Sequence, residues 1–379
     1  MTDVRDMFAS VFFVDSITVA DLKERYARAM RGGSRVRVLI VPGHDDRAWG
    51  TEFRGIREAD MNAMVGEELS KFLSGDAAYE PILVRTSEGY VKEFQDYFDS
   101  EQKNVLEFLT EKKKIMRNLV RAGSVHTIDG VVHNSVPSEI AGRLYAINKW
   151  ANEHAVDIVI HIHFNDYPGR PHTRPGRYNG FSLYVADPQF SNAKASKAVA
   201  GSLFEQLSKF YAESNLPVED SGIVEDQELI AIGAYNTVDP ASVLIEYGYI
   251  YEQQFLDSDI RAKVMRELAF QTYQGLNRFF GKYGELFQEY PTTLLPHAWE
   301  RPLVQGSGAN TEILSLQAAL LLEDLYPPQG ESKRDCPLTG SFGPCTARAV
   351  KLFQEKNGLP TSGTVGELTL AKLNEKYGR

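Results

Sequence analysis

Three short apolar runs in this chain each lead into a side chain able to bind a metal ion. Residues 36–41 (Val-Arg-Val-Leu-Ile-Val) precede His44, the run beginning at Asp157 ends on His163, and the run beginning at Ser242 ends on Glu246. Together with 81–86 and 181–185, the stretches 36–41, 157–163 and 242–246 are the predicted strands, separated by amphipathic helical stretches. Short β-rich runs alternating with helices read as an α/β fold, a twisted, mostly parallel sheet flanked by helices. In such sheets ligands gather at the carboxyl ends of the strands, so His44, His163 and Glu246 are expected to converge.

A fourth candidate, Glu58, opens the helical pattern 58–72 that follows the first strand's loop, which returns its carboxylate to the same edge. Two imidazoles and a carboxylate form a catalytic zinc set that leaves a coordination position for water. Taken singly, each residue has an ordinary structural role. A histidine after a strand is commonly a hydrogen-bonded loop residue, and a Glu in a helix's first turn complements the helix dipole. A Glu ending a buried strand needs a partner or a cation, because an unpaired buried charge costs several kcal/mol, on the order of the desolvation penalty. The coincidence of four such residues at one edge points to chemistry. His161, two positions before His163, shares its face of the strand. It is read as a group supporting the ligands, a competing ligand being the alternative, with His163 nearer the strand end.

Around this core the chain divides by composition. Thr18 and Asp21 have capping-box spacing ahead of an amphipathic stretch, so residues 1–33 are expected to add a helix packed on the catalytic unit at 34–284. Apolar positions Phe94, Phe98, Val105, Leu109, Met116 and Val120 predict one long helix inside an insertion at about 91–136. From 285 to 309, Pro291, Pro296, Pro302, Gly306 and Gly308 read as an extended linker. Beyond it, residues 310–379 carry a repeat, Gly340-Ser-Phe-Gly-Pro-Cys-Thr346 and Gly363-Thr-Val-Gly-Glu-Leu-Thr369, each ending in a Thr expected to cap the next of three helices. This segment is the small all-α C-terminal domain.

A net charge of −10 with no long basic stripe argues against nucleic-acid partners. The apolar run 7–14 is too short to span a bilayer and lacks the flanks of an export signal, so no membrane span is expected. Two cysteines, Cys336 and Cys345, allow at most one disulfide. A bridge between them would place the chain outside the cytoplasm, and two free thiols are the alternative.

Four blocks carry a resemblance: Val41-Pro-Gly-His44, Gly55-Ile-Arg-Glu58-Ala-Asp-Met-Asn62, Ile160-His-Ile-His163-Phe-Asn165 and Leu244-Ile-Glu246-Tyr-Gly248-Tyr-Ile250. In this order the chain resembles the N-acetylmuramoyl-L-alanine amidase type 3 family. The resemblance implies zinc held by His44, Glu58 and His163, with Glu246 as the catalytic carboxylate that exchanges a proton with the attacking water and the leaving amine. His161 stands where the family commonly has a small residue. The C-terminal segment resembles the peptidoglycan-binding domain 1 family through Leu316-Gln317, Gly340, Phe342, Gly343, Thr346, Ala349-Val-Lys-Leu-Phe-Gln354, Gly363, Val365, Gly366 and Thr369. The implied substrate and partner is peptidoglycan, cut in the cell envelope or outside the cell by a bacterial or phage enzyme. A zinc peptidase acting on the stem peptide, or an inactive wall-binding protein, are the alternatives.

Overall fold

The computed structural model describes residues 15–127, 138–167, 169–282 and 290–378. The apolar run 7–14, the end of the 91–136 insertion and the start of the expected linker lie outside these residues.

Six strands form one sheet: β1 (Val36–Pro42), β2 (Tyr79–Leu83), β3 (Ile158–Asn165), β4 (Ser182–Ala186), β5 (Ile223–Asp226) and β6 (Ala241–Tyr249), in the order β2-β1-β3-β6-β4-β5. β2, β1, β3 and β6 pair in parallel, β4 runs antiparallel to β6, and β5 pairs parallel to β4. The central strands are apolar on both sides, as strands covered by helices on two faces must be. On one face, Val38, Ile40, Ile158, Ile160, Val243 and Ile245 pack against helices α2 (Glu58–Ser74), α5 (Ala193–Leu207) and α6 (Ser258–Phe279). On the other, Leu39, Val41 and Val159 pack against α3 (Lys92–Arg121) and α4 (Ser138–Glu153) through Phe94, Ile147 and Trp150. His161 and His163 alternate with Ile160 and Ile162 and therefore belong to this second face.

The N-terminal helix α1 (Val19–Ala29) starts at the expected capping box: Asp21 N–H donates to Thr18 Oγ1 at 3.1 Å and Thr18 N–H to Asp21 Oδ2 at 2.9 Å. It docks through Leu22 and Tyr26, whose ring stacks on Phe280 at 4.4 Å. The long insertion helix α3 runs for 30 residues, buries Phe94, Val105, Met116 and Leu119, and lies against α4 and the sheet as a flank.

The C-terminal unit has three helices, α7 (Thr311–Leu322), α8 (Pro344–Lys356) and α9 (Glu367–Tyr377). The repeat's threonines do not cap these helices. Gly343 and Gly366 occupy the cap positions, and Thr346 and Thr369 sit inside the first turns. Each Thr hydroxyl instead accepts from a buried glutamine of the preceding helix, Gln317 Nε2 at 3.0 Å and Gln354 Nε2 at 2.9 Å. The same glutamines accept through Oε1 from the loop backbone, Gln317 from Thr339 and Gly340 and Gln354 from Gly363. Cys336 and Cys345 form a disulfide with Cα atoms 5.9 Å apart.

The stretch read as an extended linker is packed over residues 290–309. Leu294, Leu295, Trp299 and Leu303 are buried, Trp299 Nε1 donates to the Glu312 carbonyl at 2.9 Å, and Leu303 pairs with Val365. Proline and glycine forbid helix or strand here, but four large apolar side chains give the segment an interior to occupy. The C-terminal unit also touches the α/β unit directly, Gln253 Nε2 donating to Ser341 Oγ at 2.8 Å.

Candidate metal centre

β1 ends at Pro42, and two residues later His44 adopts a left-handed backbone with φ 62°. A non-glycine residue in this region costs about 1–3 kcal/mol, a strain that clusters at functional sites. Gly43 before it lies so close to β3 that a Cβ there would sit 2.2 Å from the His163 ring. Gly50, at φ +75°, passes equally close to Glu58 Oε2, with 2.2 Å to a built Cβ.

Glu58 is the first residue of α2, and Arg57 before it supplies no side-chain cap. The first helical N–H groups are met by the preceding loop instead: Glu58 N–H donates to the Thr51 carbonyl and Ala59 N–H to the Trp49 carbonyl, both at 3.0 Å. This docks the loop on the helix start and turns the Glu58 carboxylate toward the strand ends. There Glu58 Oε1 lies 3.2 Å from His44 Nε2 and 3.0 Å from His163 Nδ1. Donor atoms of His44, Glu58 and His163 all fall within 4.8 Å of one another. Burial would push the Glu58 carboxyl up, but His44 and His163 outweigh it and hold it well below the usual range. Burial likewise opposes a charge on His44, and the Glu58 carboxylate more than offsets this. A buried anion facing two half-exposed imidazoles suits a divalent cation with N and O ligands, and this donor set fits zinc.

Glu246 is the register partner of His163 across the β3–β6 pairing, so both side chains leave the sheet on the same face. It is 7% exposed, and its Oε2 has no hydrogen-bond partner among the described residues. Burial, then the charges of Glu58 and Glu219, push its carboxyl well above the usual range. Glu219 is itself buried and accepts from Tyr184 Oη at 2.6 Å, Asn165 Nδ2 at 2.7 Å and Tyr249 Oη at 3.2 Å.

His161 lies one step back along β3, beside Val41 and Leu244. Apart from a backbone contact with Ala231, its ring nitrogens make no hydrogen bond of good geometry among the described residues, and it stands outside the donor cluster. Burial, and secondarily His163, pull its pKa down to about 3, so the ring is neutral.

Two supporting residues escaped the sequence reading. Asn62 Nδ2 donates to the Gly43 carbonyl at 2.9 Å and reaches Glu58 Oε1 at 3.5 Å. Buried Arg85 donates to the carbonyls of Pro42, Gly43 and Ala59 at 3.0, 2.7 and 2.8 Å, tying the end of β1 to the start of α2. The available signal was an arginine inside an otherwise apolar predicted strand.

His44, Glu58 and His163 thus form a donor set able to hold one metal ion at the carboxyl edge of an α/β sheet. Residues 38–277 match the family model described as N-acetylmuramoyl-L-alanine amidase, and residues 310–373 that of a putative peptidoglycan binding domain. The first match spans more than half of the chain, which belongs to the N-acetylmuramoyl-L-alanine amidase family. Among curated proteins, the N-acetylmuramoyl-L-alanine amidase CwlL of Bacillus licheniformis is 36% identical over 84 residues, 22% of this chain and 22% of that protein. The corresponding CwlH of Bacillus subtilis (strain 168) is 46% identical over 66 residues, 17% of this chain and 26% of that protein. The matched stretches thus span about a quarter of these relatives' length or less. Among solved structures, an amidase from Clostridium difficile 630 aligns with 17% identity and a TM-score of 0.41, covering 66% of this chain and 99% of that one. The catalytic domain of CwlV from Bacillus (Paenibacillus) polymyxa var. colistinus aligns with 15% identity and a TM-score of 0.40, covering 65% and 99%.

Proposed function

We propose that the chain is a zinc-dependent amidase that hydrolyses the bond between the muramic-acid lactyl group and L-alanine of peptidoglycan, with residues 310–379 holding it on the wall. The observation that carries this reading is the convergence of His44, Glu58 and His163 with Glu246 register-paired to His163. His44, Glu58 and His163 would hold the ion, and Glu246 would carry the proton. A bound zinc ion supplies Lewis acidity, acidifying water and polarising an amide carbonyl. Glu246 takes the proton from the attacking water and returns it to the departing L-alanine amine. Its carboxylate is buried on the same face as the donor set, with Oε2 taken up by no hydrogen bond among the described residues, which suits a group that passes a proton on. His161 contributes no hydrogen bond to this set and is read as a neutral filler behind His163. The family match over 38–277 and the second match over 310–373 support substrate and binding partner alike.

The Cys336–Cys345 disulfide supports action in an oxidising space, in the cell envelope or outside the cell. No helix among the described residues is long and apolar enough to cross a membrane. The deciding experiment is a digest of purified sacculi by the full chain. New L-alanine amines with intact stem peptides are expected. Shortened stem peptides with the lactyl amide preserved would assign the site to a peptidase instead.

A further inference from the structure

We infer that the Asp166–Arg170 pair is a positioning element for Glu58, holding its carboxylate so that one oxygen alone faces the two histidines. The inference rests on the reading of His44, Glu58 and His163 as a metal set, and names residues outside that set on which it depends.

Glu58 uses its two oxygens differently. Oε1 faces His44 Nε2 and His163 Nδ1, whereas Oε2 accepts from the Thr51 backbone N–H at 3.0 Å. Together with the Glu58 N–H to Thr51 carbonyl bond, this makes a reciprocal pair between the two residues. Whatever fixes Thr51 therefore fixes the torsion of the Glu58 carboxylate. Thr51 lies at the base of a hairpin whose strands, Glu52–Phe53 and Ile56–Arg57, are two residues each. A hairpin this short is not stable by itself, so Thr51 needs an anchor from elsewhere.

That anchor comes from the loop after β3. The Thr51 hydroxyl donates to Asp166 Oδ2. Asp166 accepts two prongs of the Arg170 guanidinium, Nε at 2.6 Å and Nη2 at 2.8 Å. Arg170 is 3% exposed and lies against the rings of Phe53 and Tyr251, which meet edge to face, at 5.1 and 5.0 Å from their centroids. Its remaining donors reach the carbonyls of Glu52, Pro171 and Arg174. A planar fork with five N–H donors is needed to grip a carboxylate on one edge, pack against two rings and still meet three carbonyls, which a lysine cannot do. A buried ion pair is weak as a source of stability, because desolvation offsets its attraction. Its value here is placement: it carries the rigidity of β3 and of Tyr251 on β6's side of the sheet to the backbone N–H that holds Glu58 Oε2.

The test is zinc affinity of the full chain, measured by competition with a chromophoric chelator, beside the thermal midpoint of the zinc-free protein. Asp166→Ala and Arg170→Lys are expected to weaken zinc by about 10- to 100-fold, the range typical of groups that orient a metal ligand. Asp166→Asn keeps an acceptor for the Thr51 hydroxyl and should fall between Asp166→Ala and wild type. Thr51→Ala removes the hydroxyl together with one methyl of a half-buried side chain, and is expected to weaken zinc in the same direction. A purely structural role would lower the zinc-free midpoint of these variants and leave the affinity of the folded protein unchanged. Wild-type affinity in Thr51→Ala and Asp166→Asn, with zinc lost in His163→Ala, overturns the inference and leaves the metal reading standing. A wild-type chain that binds no zinc overturns both.

Discussion

Gly43 and Gly50 mark where the backbone comes so close to the ligand side chains that a methyl group has no room. Gly43→Ala is expected to push the His163 ring away from Glu58 and to weaken zinc by about 10- to 100-fold, as for other changes that misplace a ligand. Equilibrium dialysis against buffered zinc measures this, and unchanged affinity would show that the strand end yields without moving the ring. His161 makes the opposite case. With no hydrogen bond to a ligand, His161→Leu is expected to keep full zinc content. Replacing a buried polar ring that lacks partners with an apolar group of similar size is neutral or stabilising. A loss of zinc in His161→Leu would return the residue to the supporting role that its place two before His163 suggests.

Among the elements, the strands that carry the site were legible because their apolar runs stop at polar, metal-competent residues, and β1, β3 and β6 lie where 36–41, 157–163 and 242–246 were read. β2 was displaced: the run 81–86 is split, with Tyr79–Leu83 in the main sheet and Arg85–Thr86 turning into a separate hairpin with Gly89–Tyr90. β5 was missed since four residues with alternating burial at a sheet edge resemble a loop. The repeat in the C-terminal unit was visible, but its physics was not. A Thr three residues after a glycine looks like a cap, and only the fold shows Gln317 and Gln354 reaching it. A longer-range tie was likewise invisible: Glu323 at the end of α7 receives Lys356 from α8 at 2.7 Å, and Lys376 and Tyr377 from α9 at 2.5 and 2.7 Å. Burial opposes its charge, but these partners outweigh it and pull its pKa down to about 2 from 4.5. Because the folded value is depressed, the tie is fully present above about pH 4.5 and is lost as pH falls toward 2. Hydrogen exchange in α9, corrected for intrinsic rates, should rise over that interval in wild type. Glu323→Gln should exchange faster already at neutral pH and show a flatter profile, whereas coincident profiles would show that the three-helix tie carries no stability.

Across the whole molecule, the stretch expected to be a free linker is instead a packed strap, with Trp299 and Leu303 seated in the C-terminal unit and Thr293 bound to Glu267 of α6. Breaker residues and anchoring residues alternate in it, and sequence patterning registers the breakers first. The consequence is that the C-terminal unit packs directly on the α/β unit, with Gln253, shortly after β6, donating to Ser341. The proposed proton transfer lies at the edge where β1, β3 and β6 end, with Glu246 carrying the proton and not holding the ion. The most direct measurement is Glu246→Gln, assayed for bound zinc and for release of L-alanine amines from sacculi. Wild-type zinc content is expected, with turnover reduced by about 10²- to 10⁴-fold, the usual worth of a general acid or base. Zinc lost together with activity would make Glu246 a ligand, and turnover unchanged with zinc in place would remove it from the reaction.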